Sequence, residues 1–121
     1  MCIRDSCWIE ASVDEDTLFV ANTVPATISS FSFDGGEVEL VEEVAAAGRA
    51  PEDPTDPFAT SDGFIDMARS CDGRFLYECE GLNGTVNVYR IEDEGFGTSL
   101  TLVAELRGNL PETNTQGVAA I

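Results

Sequence analysis

The chain repeats itself. A shift of 58 positions lays Trp8–Phe33 on Asp66–Ile91 without a gap, so that Ser12 falls on Ser70, Asp14 on Asp72, Leu18 on Leu76 and Thr27 on Thr85. Apolar positions obey the same alignment: Ile9 on Met67, Phe19 on Tyr77, Ile28 on Val86, Phe31 on Tyr89 and Phe33 on Ile91. After a longer second loop the match resumes, with Val38, Leu40, Val41 and Val44 on Leu100, Leu102, Val103 and Leu106. An order shared along a whole unit marks a repeat architecture, in which like modules bury their faces on one another.

Each unit reads as four short strands. The first runs through "WIEAS", "TLFVANT", "TISSFSF" and "EVELVEEV", separated by an acidic turn, a turn at Pro25 and "DGG". The second runs through "IDMARS", "FLYECEG", "TVNVYRI" and "SLTLVAEL", separated by "CDGR", an Asn83-Gly84 turn and a loop through Gly95 and Gly97. Val, Ile, Phe, Tyr and Thr suit a pleated, half-buried surface, and Gly and Asn suit hairpin residues that need positive φ. No stretch has helical periodicity; "EEVAAAGRAPED" has the composition of a helical turn but ends at Gly48 and Pro51.

Four-stranded antiparallel units at this spacing predict an all-β chain: a partial β-propeller of two blades plus the first strand of a further blade. The blades are residues 7–46 and 64–108. The segment 47–63, with Pro51, Pro54 and Pro57, is the interblade loop, and residues 109–121 form a loop and the innermost strand of the next or closing blade. Residues 1–6 resemble a sequencing adapter read in frame and are expected to be non-structural, and the polypeptide is expected to be a piece of a longer protein. They lack the apolar run of a secretory signal, and any such signal is expected upstream, so the compartment stays open between cytoplasm and cell envelope.

These blades resemble the lactonase-type seven-bladed propellers described by their Y-V-T-N repeat, the family of propeller-type 6-phosphogluconolactonase. The family unit is a small-residue inner strand, S-x-D-G-R, an aromatic-rich Y-V-x-N strand and G-T-[IV]-x-x-[FY]. Ser70, Asp72, Gly73, Arg74, Tyr77, Gly84, Thr85, Val86 and Tyr89 match it in the second blade. Ser12, Asp14, Phe19, Val20, Asn22, Thr27, Ile28 and Phe31 match it in the first. Departures are Glu15-Asp16 in place of Gly-Arg, and Glu78 and Cys79 in place of Val and a small residue. The resemblance implies a parent that hydrolyses a sugar-derived lactone such as 6-phosphogluconolactone, without a cofactor, with the remaining blades as structural partners. The family's histidine-containing constellation has no counterpart, because the chain has no histidine. The two blades alone are expected to be inactive. The alternative is a non-catalytic propeller that presents loops to a ligand at the cell envelope or surface.

Charge narrows the partners. The chain carries 23 acidic and 6 basic residues, a formal net charge of −17, which repels nucleic-acid phosphates and anionic lipids. No apolar run approaches the ~20 residues that span a bilayer, so no membrane insertion is expected. Of four cysteines, Cys2 lies in the adapter-like stretch. Cys7, Cys71 and Cys79 have neither zinc-site spacing nor a histidine partner, and buried thiols are favoured over a Cys7–Cys79 bridge.

Candidate site residues lie on the innermost strands. Asp66 reads either as a general base or ligand-orienting carboxylate, or as a carboxylate that caps the strand or binds loop amides. Trp8 and Glu10 are ligand-binding candidates, with channel packing the plainer role for Trp8. No metal site is expected: Asp53, Asp56 and Asp62 crowd one loop without the D-x-D-x-D-G order of a calcium loop.

Overall fold

In a computed structural model, the described residues are 6–12, 16–23, 25–48, 63–81, 84–93 and 98–107. They form eight strands and no helix: β1 (Ser6–Ala11), β2 (Thr17–Asn22), β3 (Thr27–Asp34), β4 (Glu37–Ala47), β5 (Phe64–Arg69), β6 (Phe75–Glu80), β7 (Thr85–Asp93) and β8 (Thr98–Arg107). They make two four-stranded antiparallel sheets, ordered β1-β2-β3-β4 and β5-β6-β7-β8. The all-β reading and the two-sheet division stand. The expected strand in 109–121, the segment 49–62 and residues 1–5 lie outside the described residues.

The repeat extends to individual hydrogen bonds. Ser12 N–H donates to the Thr17 carbonyl and Ser70 N–H to the Phe75 carbonyl, at 2.8 and 2.9 Å. Phe33 N–H donates to the Asp16 carbonyl and Ile91 N–H to the Arg74 carbonyl, at 2.7 and 2.8 Å. Both serine hydroxyls accept from the strand beyond their turn: Ser12 from Thr17 N–H at 3.2 Å, Ser70 from Phe75 N–H at 3.1 Å. Each serine in turn donates to a carboxylate, Asp16 in the first unit and Asp72 in the second. Gly73 supplies the left-handed residue of the second turn, with φ of 73°. The turn before β3 uses Ala26 at φ 52°, where the aligned turn before β7 has Gly84 at 65°. Gly35 and Gly36, both at positive φ, make the tight β3–β4 hairpin.

Two boundaries differ from expectation. β4 continues through the Ala45–Ala47 run instead of turning helical, because Ala46 and Ala47 pair with Ile28 and Thr27 across a bulge. The small Ala46 then packs against the core, a tertiary gain that overrides helix propensity. β1 begins at Ser6, which pairs with Asn22, so the last residue of the stretch expected to be non-structural belongs to the sheet.

The two sheets stack front to back. Register places Phe19, Ala21, Ile28 and Ser30 on one face of the first sheet, and Met67, Leu76, Glu78, Asn87 and Tyr89 on one face of the second. Phe19, Ala21, Ala26 and Ile28 form a single buried cluster with Phe64, Met67, Leu76 and Tyr89. These two faces are not equivalent under the repeat. Met67, Leu76 and Tyr89 align with Ile9, Leu18 and Phe31, which lie on the opposite face of the first sheet. Their burial differs accordingly: Met67 is 1% exposed and its counterpart Ile9 61%. A unit whose front fits its neighbour's back is heterologous, so it can be extended by like units.

Candidate functional site

The first strands of the sheets, β1 and β5, lie beside one another and carry all three sequence candidates. Arg69 joins them: its Nε donates to the Ala11 carbonyl at 2.8 Å and stands 3.8 Å from Glu10 Oε1. Thr23 adds a second tie, its hydroxyl donating to the Phe64 carbonyl at 3.0 Å. Glu10 is half-buried, and loss of solvent raises its carboxyl pKa above the usual value; Arg69 opposes the rise and Asp66 adds to it. Glu10 is therefore a carboxylate biased toward taking a proton, held beside a guanidinium.

Asp66 is 4% exposed, and its Oδ1 accepts the Met67 N–H at 2.8 Å. The carboxylate binds a backbone amide of its own strand. Trp8 is 47% exposed, on the face of the first sheet that carries Phe19 and Ala21. Residues 53, 56 and 62 lie outside the described residues. Among the described residues no group of three or more His, Cys, Asp or Glu side chains converges as a metal cluster. No helix among them is long and apolar enough to cross a membrane.

Neither described cysteine is in a disulfide; Cys79 is buried as expected, but Cys71 is exposed on its turn. Burial, with Glu78, Asp66 and Glu80 nearby, pushes the Cys79 thiol up to about 11, which makes it a poor nucleophile.

Two features escaped the sequence reading. Arg69 is one, since nothing in "IDMARS" foretells its reach to the neighbouring sheet. The other is a polar cluster between the sheets. Glu78 and Glu80, 0% and 3% exposed, are two residues apart on β6 and point to the same face. Asn87, opposite Glu78 on β7 and 3% exposed, donates its Nδ2 to Glu78 Oε2 at 3.0 Å and to Glu80 Oε1 at 2.5 Å. The signal was visible as Glu at a position where the first unit has Val20. The aligned cluster in the first sheet is neutral: Asn22 Nδ2 donates to Thr27 Oγ1 and Ser29 Oγ at 3.1 and 2.8 Å. A scan against protein-family models finds no match to this chain, and a search of curated proteins finds none either.

Proposed function

We propose that the two sheets are consecutive blades of a β-propeller. On this reading, the ring they belong to is lactonase-like and hydrolyses a sugar-derived lactone such as 6-phosphogluconolactone. The ring is supported by front-to-back stacking, which lets like units be added to either face, and by the S-x-D-G-R turn around Ser70 and Asp72. The chemistry is supported by one pairing, Glu10 with Arg69 across the two first strands. In this reading Arg69 orients the lactone's anionic or carbonyl oxygen. Glu10 accepts a proton from the attacking water, whose oxygen bonds to the acyl carbon as the ring C–O bond breaks. The proton then passes to the departing alkoxide, leaving a hydroxy acid. No cofactor enters, and the other ring members supply the rest of the channel mouth.

A second reading, a non-catalytic module that binds a ligand at the same mouth, draws on the half-exposed Trp8 and on a chain without histidine. Hydrolysis of 6-phosphogluconolactone by the protein that carries these sheets, followed against the spontaneous rate, separates the two. Acceleration that falls in Glu10→Gln supports the lactonase. A rate equal to background rejects it and leaves ligand binding.

A further inference from the structure

Burying two carboxylates side by side is costly. Each loses its hydration, and their mutual repulsion grows as the dielectric falls. Glu78 and Glu80 nevertheless share one amide donor in the layer between the sheets. Around them stand oxygens with nothing to bind. Thr85 lies directly opposite Glu80 on the same face, is 1% exposed, and its Oγ1 has no hydrogen-bond partner. Asn87 Oδ1 is likewise buried and unpartnered. Buried polar atoms are rarely left so, and two beside a pair of carboxylates mark an unmet requirement.

We propose that Glu78, Glu80, Asn87 and Thr85 form a calcium-type cation site between the sheets. The donors are all oxygens: two carboxylates, one amide, one hydroxyl. That set suits a hard divalent cation that accepts six to eight oxygen ligands, and its two negative charges match the ion's two positive ones. Half a turn of the Asn87 amide exchanges Nδ2 for Oδ1. The group that now bridges both carboxylates as a donor then becomes a third ligand between them. Only the second sheet is so equipped, since Val20, Asn22 and Ser29 occupy the aligned positions in the first. The ion would lock β6 to β7 and fill the layer under the first sheet. This role is independent of any lactone chemistry at β1 and β5.

The test uses the full chain. Calcium is titrated against bound terbium, whose emission is excited through Tyr89, two residues along β7 from Asn87, and thermal melts are run in calcium and in chelator. Wild type is expected to bind saturably and melt higher in calcium. Glu78→Gln/Glu80→Gln is expected to lose the shift, and Thr85→Val, which folds with near-identical shape, to bind roughly tenfold more weakly or worse. Glu39→Gln/Glu42→Gln, on exposed β4, controls for surface carboxylates and keeps the shift. A wild-type melt indifferent to calcium overturns the proposal, as does an equal response in Thr85→Val and wild type. If the double Gln variant is more stable than wild type in chelator while wild type ignores calcium, the pair holds a proton and the cation site is refuted.

Discussion

Replacing Phe19 with alanine separates front-to-back stacking from two sheets that merely share a chain. Phe19 has no exposed surface and lies in the apolar cluster that both sheets build. A phenylalanine buries roughly 150–250 Å², and burial is worth about 25 cal/mol per Å². With the cavity left behind, Phe→Ala at such a site costs about 3–5 kcal/mol. Phe33 is the matched control: same residue type, same sheet, but on the opposite face and 39% exposed. Phe33→Ala is expected to cost under ~1 kcal/mol. For a chain of this size the Phe19 loss lowers the thermal midpoint by roughly 10–20 °C. Circular dichroism melts, with sedimentation run alongside to hold the association state constant, give both values. Equal losses for the two variants would refute the reasoning, because they would mean that the second sheet does not bury the Phe19 face in preference to the Phe33 face.

Three further outcomes are expected. The open face of the first sheet, with Ile9 and Phe33, drives self-association; sedimentation should show species larger than a monomer, and Ile9→Lys/Phe33→Lys should return them toward monomer. Glu10 has a raised pKa in the fold, so its contribution to stability is fully present below the ordinary carboxylate range and is lost as pH rises through the raised value. An NMR titration of the Glu10 carboxyl should therefore place its midpoint above that of exposed glutamates; a midpoint at or below theirs contradicts the burial seen at β1. Finally, iodoacetamide should modify Cys71 in the folded chain and spare Cys79 until denaturant is added, as mapped by mass spectrometry.

Strand positions were legible because local and repeated signals agree. The Ser12 and Ser70 turns fix two hairpins with the same bonds, and β-branched and aromatic runs between them can only be strands. Where signals conflicted, packing decided. Ala45–Ala47 reads as helical by propensity, yet Ala46 and Ala47 pair with Ile28 and Thr27, and Ala46 packs against the core. Ala26 shows the same override on the backbone, holding a left-handed φ where the second unit has glycine. The candidate site was legible only by place. That Glu10 and Asp66 lie on neighbouring first strands follows from the repeat. That Arg69 bridges them, and that Asp66 turns to a backbone amide, depends on side-chain reach across two sheets, which no one-dimensional pattern contains. Glu78 stood out as a departure from its aligned valine, but its meaning required Asn87 and Glu80 to be seen on the same buried face.

The stacking itself is open to direct observation by nuclear Overhauser contacts between aromatic and methyl protons. Phe19 and Ile28 should show contacts to Met67 and Leu76, while Leu18 and Phe31 show none to the second sheet. Contacts from Leu18 and Phe31 to Met67 or Leu76 would instead mean that equivalent faces meet, a closed sandwich that could not be extended by further units.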